Sequence, residues 1–127
     1  MTRRLLDDGA AAAVEFALVV PFLLLILFGI VEFGRVYNAQ IALSASAREA
    51  ARVMAVTEDP IAAVDAAIDG APSLSPALEP SQVAITPASC GPGVNVAVDI
   101  TYPMSLLPIV GGFEIDVSGR GVMRCGG

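Results

Sequence analysis

Histidine, lysine and tryptophan are missing from this 127-residue chain, and the first two absences each remove a kind of chemistry. Without His there is no imidazole to serve as a general base near neutral pH or as the commonest metal ligand. Without Lys there is no amine for a Schiff base and no ammonium for a phosphate loop. Every cation is therefore Arg, and with a formal net charge of −6 and a pI near 4.3 the chain is a poor match for nucleic acid or an anionic surface. No nucleophile–base pair and no metal cluster can be assembled from what remains, so the reading is a non-enzyme with no cofactor and no metal. The acid pairs Asp65/Asp69 and Glu114/Asp116 read as solvated faces, because no acidic loop of calcium-binding pattern accompanies them.

What the chain has in abundance is apolar side chains, 55% of the total, with a mean hydropathy of +0.72. They concentrate in the run from Ala10 to Val31. About 22 residues at a rise of ~1.5 Å reach roughly 33 Å as a helix, enough to cross a hydrocarbon core of ~30 Å. One acid, Glu15, interrupts the run. A carboxylate inside a membrane segment costs up to about 2.5–3.5 kcal/mol on insertion scales, and such residues are usually retained with a partner. The run exceeds the 7–15 apolar residues expected of a secretory signal. The Ala45-Ser46-Ala47 triplet that imitates a cleavage site lies well beyond it, inside a helical pattern. Arginine counting leaves the orientation open, with Arg3 and Arg4 on one side and Arg35, Arg48 and Arg52 on the other.

The helical pattern continues past the apolar run. From Glu32 to about Val56 there is no Pro, and helix-favouring residues dominate. Val36, Leu43, Ala47, Ala50 and Met54 recur on one face, with Asn38, Arg48 and Arg52 toward another. Pro60 ends this helix, and Asp59 caps a short second one that runs through Asp69 and stops at Gly70. Pro72, Pro76 and Pro80 then punctuate a loop, after which Gln82–Thr86, Val94–Tyr102 and Phe113–Met123 read as strands. In the middle strand Val94, Val96, Val98, Ile100 and Tyr102 alternate with Asn95, Ala97, Asp99 and Thr101, leaving one apolar face to cover the helix. Gly119 and Gly121 suggest a bulge or bend in the last strand. The expected class is α+β: a long N-terminal transmembrane helix extending into a small head with a short helix and a roughly three-stranded antiparallel sheet.

Cys90 and Cys125 flank that sheet. They are either two buried thiols or a disulfide. Their polar, Gly-rich settings favour the disulfide, which implies an oxidising compartment for the head.

Three stretches carry a resemblance: Val14-Glu15-Phe16-Ala17-Leu18-Val19-Val20-Pro21, then Phe28-Gly29-Ile30-Val31-Glu32-Phe33-Gly34-Arg35, then Ser46-Ala47-Arg48-Glu49-Ala50-Ala51-Arg52. Together, over roughly residues 9–56, they resemble the TadE-like pseudopilins, or minor pilins, of the tight-adherence (Flp-type IV) pilus system. The resemblance implies a pilin-like layout: a cytoplasmic leader over 1–9, a transmembrane helix over 10–31, its extramembrane continuation over 32–57 and an extracytoplasmic head over 58–127. It also implies processing by a prepilin peptidase at Gly9 or Ala10. In pilins of this kind the fifth mature residue is a Glu whose carboxylate meets a neighbouring subunit's new amino terminus. Cleavage after Ala10 makes Glu15 the fifth residue, and cleavage after Gly9 makes it the sixth. Glu15, Phe16 and Pro21 are accordingly the residues assigned to helix assembly.

The resulting expectation is a single-pass membrane protein with a cytoplasmic N-terminus. It assembles or anchors pili by helix packing, with membrane lipid and other pilin or pseudopilin subunits as partners and no nucleic acid. The alternative is a membrane-anchored binding module whose head recognises an envelope or secreted ligand.

Overall fold

The computed structural model describes residues 2–126, and side chains from Asp8 onward. The basic pair Arg3 and Arg4 of the expected leader lies outside the residues whose side chains are described. The chain divides into two compact units, Met1–Gly34 and Arg35–Gly127.

The first unit is helical, the N-terminal part of α1 (Thr2–Thr57), and Pro21 stands inside the helix without ending it. Among its described side chains, the large apolar residues Phe16, Phe22, Leu25 and Ile30 are all exposed.

In the second unit, residues 35–57 of α1 supply one side of the core. The helix stops where expected. Glu58 turns left-handed at φ 58 while its N–H still donates to the Met54 carbonyl at 2.9 Å. The Asp59 carboxylate then accepts from the Ile61 N–H at 2.9 Å to start α2 (Pro60–Asp69). Capping satisfies a donor that the first helical turn leaves without a partner. The far end of α2 is tied to α1 by Ser46. This fully buried hydroxyl donates to the Ala67 carbonyl, while the Ala71 N–H that would otherwise serve Ala67 goes to Ile68.

The sheet consists of β1 (Val83–Thr86), β2 (Asn95–Leu106) and β3 (Phe113–Arg124), all antiparallel, in that order. Alternation works as the sequence implies: Val96, Val98, Ile100, Tyr102 and Met104 are buried, and Asp99 and Arg120 pair across the outer face at 3.6 Å. β2 runs four residues past the expected end at Tyr102, through Pro103. β1 reaches only Ile100, so β2 has an open edge beyond it where a missing N–H breaks no ladder bond. Val94 and Phe113, expected on the apolar face, are exposed.

Of the bulge or bend expected at Gly119 and Gly121, no bulge forms. Ile100 pairs with Gly119 and Val98 with Gly121 in unbroken register. The glycines serve instead as a seat for α1. A Cβ on Gly119 would come within 3.0 Å of the Leu43 and Ser44 backbone, and one on Gly121 within 3.0 Å of the Ala47 and Arg48 backbone. Helix and sheet therefore touch main chain to main chain, which also requires the small side chains of Ala47, Ala50 and Ala51 on α1, all fully buried.

Two apolar clusters follow along this contact. The larger joins Ala39, Leu43 and Ala47 to Val98, Ile100, Tyr102 and Val117. The smaller gathers Met54, Ala55 and Ala63 around Val96 and Cys125.

Candidate functional site

The residues singled out in the first unit all lie on α1. Gly9, Ala10, Glu15, Phe16 and Pro21 are helical and exposed. Glu15 and Phe16 are neighbours, whereas Pro21, six residues after Glu15, projects about a third of a turn away on an ideal helix. No single face gathers all three. Among the described residues, one helix is long and apolar enough to cross a membrane. Within Asp8–Thr57 an 18-residue window reaches a mean hydropathy of 2.8, with no part of that window buried by the protein itself. Leaving a Leu or Phe side chain in water forgoes about 1.5–3 kcal/mol relative to burial. A surface made of such side chains over several turns demands lipid or other helices around it.

In the second unit Cys90 and Cys125 form a disulfide, with Cα atoms 5.7 Å apart. The bridge ties the segment before β2 to the end of β3 and belongs to the smaller apolar cluster. At the opposite end of the sheet Arg35, Asn38, Tyr102, Ser105 and Glu114 line an open cleft of about 480 Å³. The Tyr102 hydroxyl donates to the Pro76 carbonyl at 2.7 Å, holding the proline loop against β2. Burial pushes the Tyr102 pKa up, and the nearby Arg35 guanidinium offsets part of that rise. Among the described residues, no group of three or more His, Cys, Asp or Glu side chains is placed to hold a metal ion.

The motif Ser46-Ala47-Arg48-Glu49-Ala50-Ala51-Arg52 packs at Ala47 and Ala50 as the helical spacing implied, and adds two buried residues, Ser46 and Ala51, that the spacing argument did not single out. Ser46, Ala47, Ala50 and Ala51 face inward and are fully buried, while Arg48, Glu49 and Arg52 face outward. Half of the motif is a seat for the sheet and for α2. Its partners, Gly119 and Gly121, had a legible signal: two glycines spaced i, i+2 on the apolar face of a strand, opposite an Ala-rich helix.

The family model described as TadE-like protein matches residues 10–52. The match begins at the apolar run, includes Glu15, Phe16 and Pro21, and ends with the helical turns that seat the sheet. Comparison with curated proteins and with solved structures finds no match. The TadE-like segment thus lies on the one helix, among the described residues, that is long and apolar enough to cross a membrane.

Proposed function

We propose that this chain, TadE-like over residues 10–52, acts as a pseudopilin or minor pilin in the assembly or anchoring of tight-adherence pili. The observation that carries the reading is the bare apolar surface of residues 10–31 with one acid in it. Such a helix is stored in the bilayer and can exchange lipid for other pilin-type helices with little change in the apolarity of its surroundings. Association then depends on packing and on polar partners, and Glu15 is the polar group available. A neighbouring subunit's amino terminus is a cation of suitable size, and pairing with it relieves the cost of a lone carboxylate in hydrocarbon. The pair sets the register between helices, while the disulfide-bridged head limits lateral contacts.

In this mechanism a prepilin peptidase removes a cytoplasmic leader after Gly9 or Ala10, and the head lies outside the cytoplasm. Intact-mass measurement of protein from native membranes tests the processing step. A Gly9 substitution to a bulky residue should leave a longer precursor, and equal masses for both proteins in a host with an active peptidase would reject it.

The assembly role is tested at Glu15. Glu15→Ala should insert at least as well as wild type, because a charge no longer enters hydrocarbon, yet fail to recover other pilin-type subunits from solubilised membranes and reduce surface pili. Normal pili with normal partner recovery would defeat the role. A solitary anchored receptor would leave both unchanged and show ligand binding by the head.

A further inference from the structure

The connection between β2 and β3 carries an apolar surface that the core does not use. From Leu106 to Phe113 the chain reads Leu-Leu-Pro-Ile-Val-Gly-Gly-Phe, without a charged or hydrogen-bonding side chain. Ile109 is 83% exposed, Val110 77% and Phe113 58%. The turn has a defined form. Leu107 is left-handed at φ 47, and its carbonyl accepts from both the Val110 and Gly112 N–H groups, at 3.0 and 3.1 Å. A shaped turn that presents three large apolar side chains marks a contact surface.

Its place in the second unit identifies what covers it. Traced from the Thr57 end of α1 back to Arg35, the sheet contacts descend β3. Met54 shares a cluster with Cys125, the Ala47 backbone lies on Gly121, and the Leu43 backbone lies on Gly119. Arg35 then shares the cleft with Glu114, which pairs with Ser105 one step before the tip. The tip thus lies at the Arg35 end of the unit, and Arg35 is the residue through which the chain continues into the apolar membrane segment.

We propose that the β2–β3 tip, Leu106–Phe113, is a second membrane contact of this protein, resting in the headgroup boundary of the bilayer that its apolar helix crosses. The inference rests on the membrane-anchored reading. The acids Glu114 and Asp116 follow the tip on β3 and confine insertion to the turn, because a carboxylate is costly to bring into hydrocarbon. Two contacts, one helix and one turn, restrict how the head can tilt on the membrane.

The chain has no Trp, so a single introduced indole reports its own surroundings. The full disulfide-bonded protein is reconstituted at high lipid-to-protein ratio into phosphatidylcholine vesicles, with and without bromine on the acyl chains. Single-Trp variants are compared: Ile109→Trp at the tip, Leu25→Trp in the apolar segment and Thr101→Trp on the exposed outer face of β2. Val110→Trp reads the tip a second time, independently. The expected result is blue-shifted emission and strong bromolipid quenching at positions 109, 110 and 25, with neither at 101. Quenching at 25 but none at 109 and 110 would overturn the tip contact and leave the membrane anchor standing. A blue shift at the tip without bromolipid quenching would assign it to protein and likewise overturn the proposal. No quenching at any position would refute the anchor, and the tip contact with it.

Discussion

Gly121→Ala is the sharpest test of how the head is held together, because local and tertiary arguments predict opposite signs. Locally the change should help. Alanine restricts the unfolded chain and fills a strand position better than glycine, a gain of about 0.4–1 kcal/mol where the backbone is compatible. In the folded head the added methyl would sit closer than 3.0 Å to the Ala47 and Arg48 backbone. Main chain within a helix cannot rotate out of the way as a side chain can, so the sheet must lift from α1. Overpacking of this kind costs about 1–3 kcal/mol, occasionally more. Lifting the sheet also loosens Val98 and Ile100, which are fully buried beneath the contact.

The expected net loss is therefore about 1–2 kcal/mol, or a fall of roughly 5–15 °C in the Tm of a domain of this size. Calorimetry on the full chain in micelles reads the transition. Hydrogen exchange at the β2 and β3 amides assigns it to the head, which far-UV signals dominated by the long helix cannot do. Ser118→Ala, exposed on the same strand, serves as the control and should stay within about 0.5 kcal/mol. Ala47→Gly should not rescue Gly121→Ala, because the obstruction is the helix backbone and not the Ala47 methyl. A Gly121→Ala protein that melts at or above wild type, with unchanged exchange in β2 and β3, would refute main-chain contact as the basis of the packing.

Other outcomes follow from particular contacts. Replacing both Cys90 and Cys125 by Ser opens a loop of sequence separation 35 and should cost about 3–4 kcal/mol in the chain-entropy model, read as a lower denaturant midpoint. Labelling of both thiols in the unreduced, folded protein would refute the bond. Ser46→Ala strands the buried Ala67 carbonyl and should lose about 1–3 kcal/mol; a neutral result by chemical denaturation would show that the carbonyl finds another donor. Tyr102→Phe gives up the hydrogen bond to Pro76, about 0.5–1.5 kcal/mol at neutral pH. It should also flatten the alkaline limb of the stability curve. The folded pKa is raised, so the contribution of Tyr102 is complete below the unfolded value of about 10 and is lost as pH rises through the folded one. Parallel wild-type and Tyr102→Phe curves above that pH would count against the burial of its hydroxyl.

Local pattern alone determined a good deal of this protein. The apolar run with Glu15 inside it, the cap at Asp59 with Pro60, the stop at Gly70 and the alternation of Val96, Val98 and Ile100 are each short-range consequences of chain geometry and polarity. Such features are written within a few residues and need no distant partner to be recognised. The disulfide was half legible, since the setting of Cys90 and Cys125 favoured a bond but only the closure of β2 on β3 brings their Cα atoms to 5.7 Å.

Tertiary structure decided the rest. Read alone, Gly119 and Gly121 suggest a bend, because a strand glycine has several uses and its own sequence does not say which. The helix that lies on them is more than seventy residues earlier in the chain. Ser46 and Ala51 look like ordinary helix residues until α2 and the sheet bury them. Phe113 fits the apolar alternation of its strand yet falls beyond the reach of the core. Whether a residue is covered depends on which element lies opposite it in space, and that is set by the packing of distant segments, not by the neighbours that sequence patterns record.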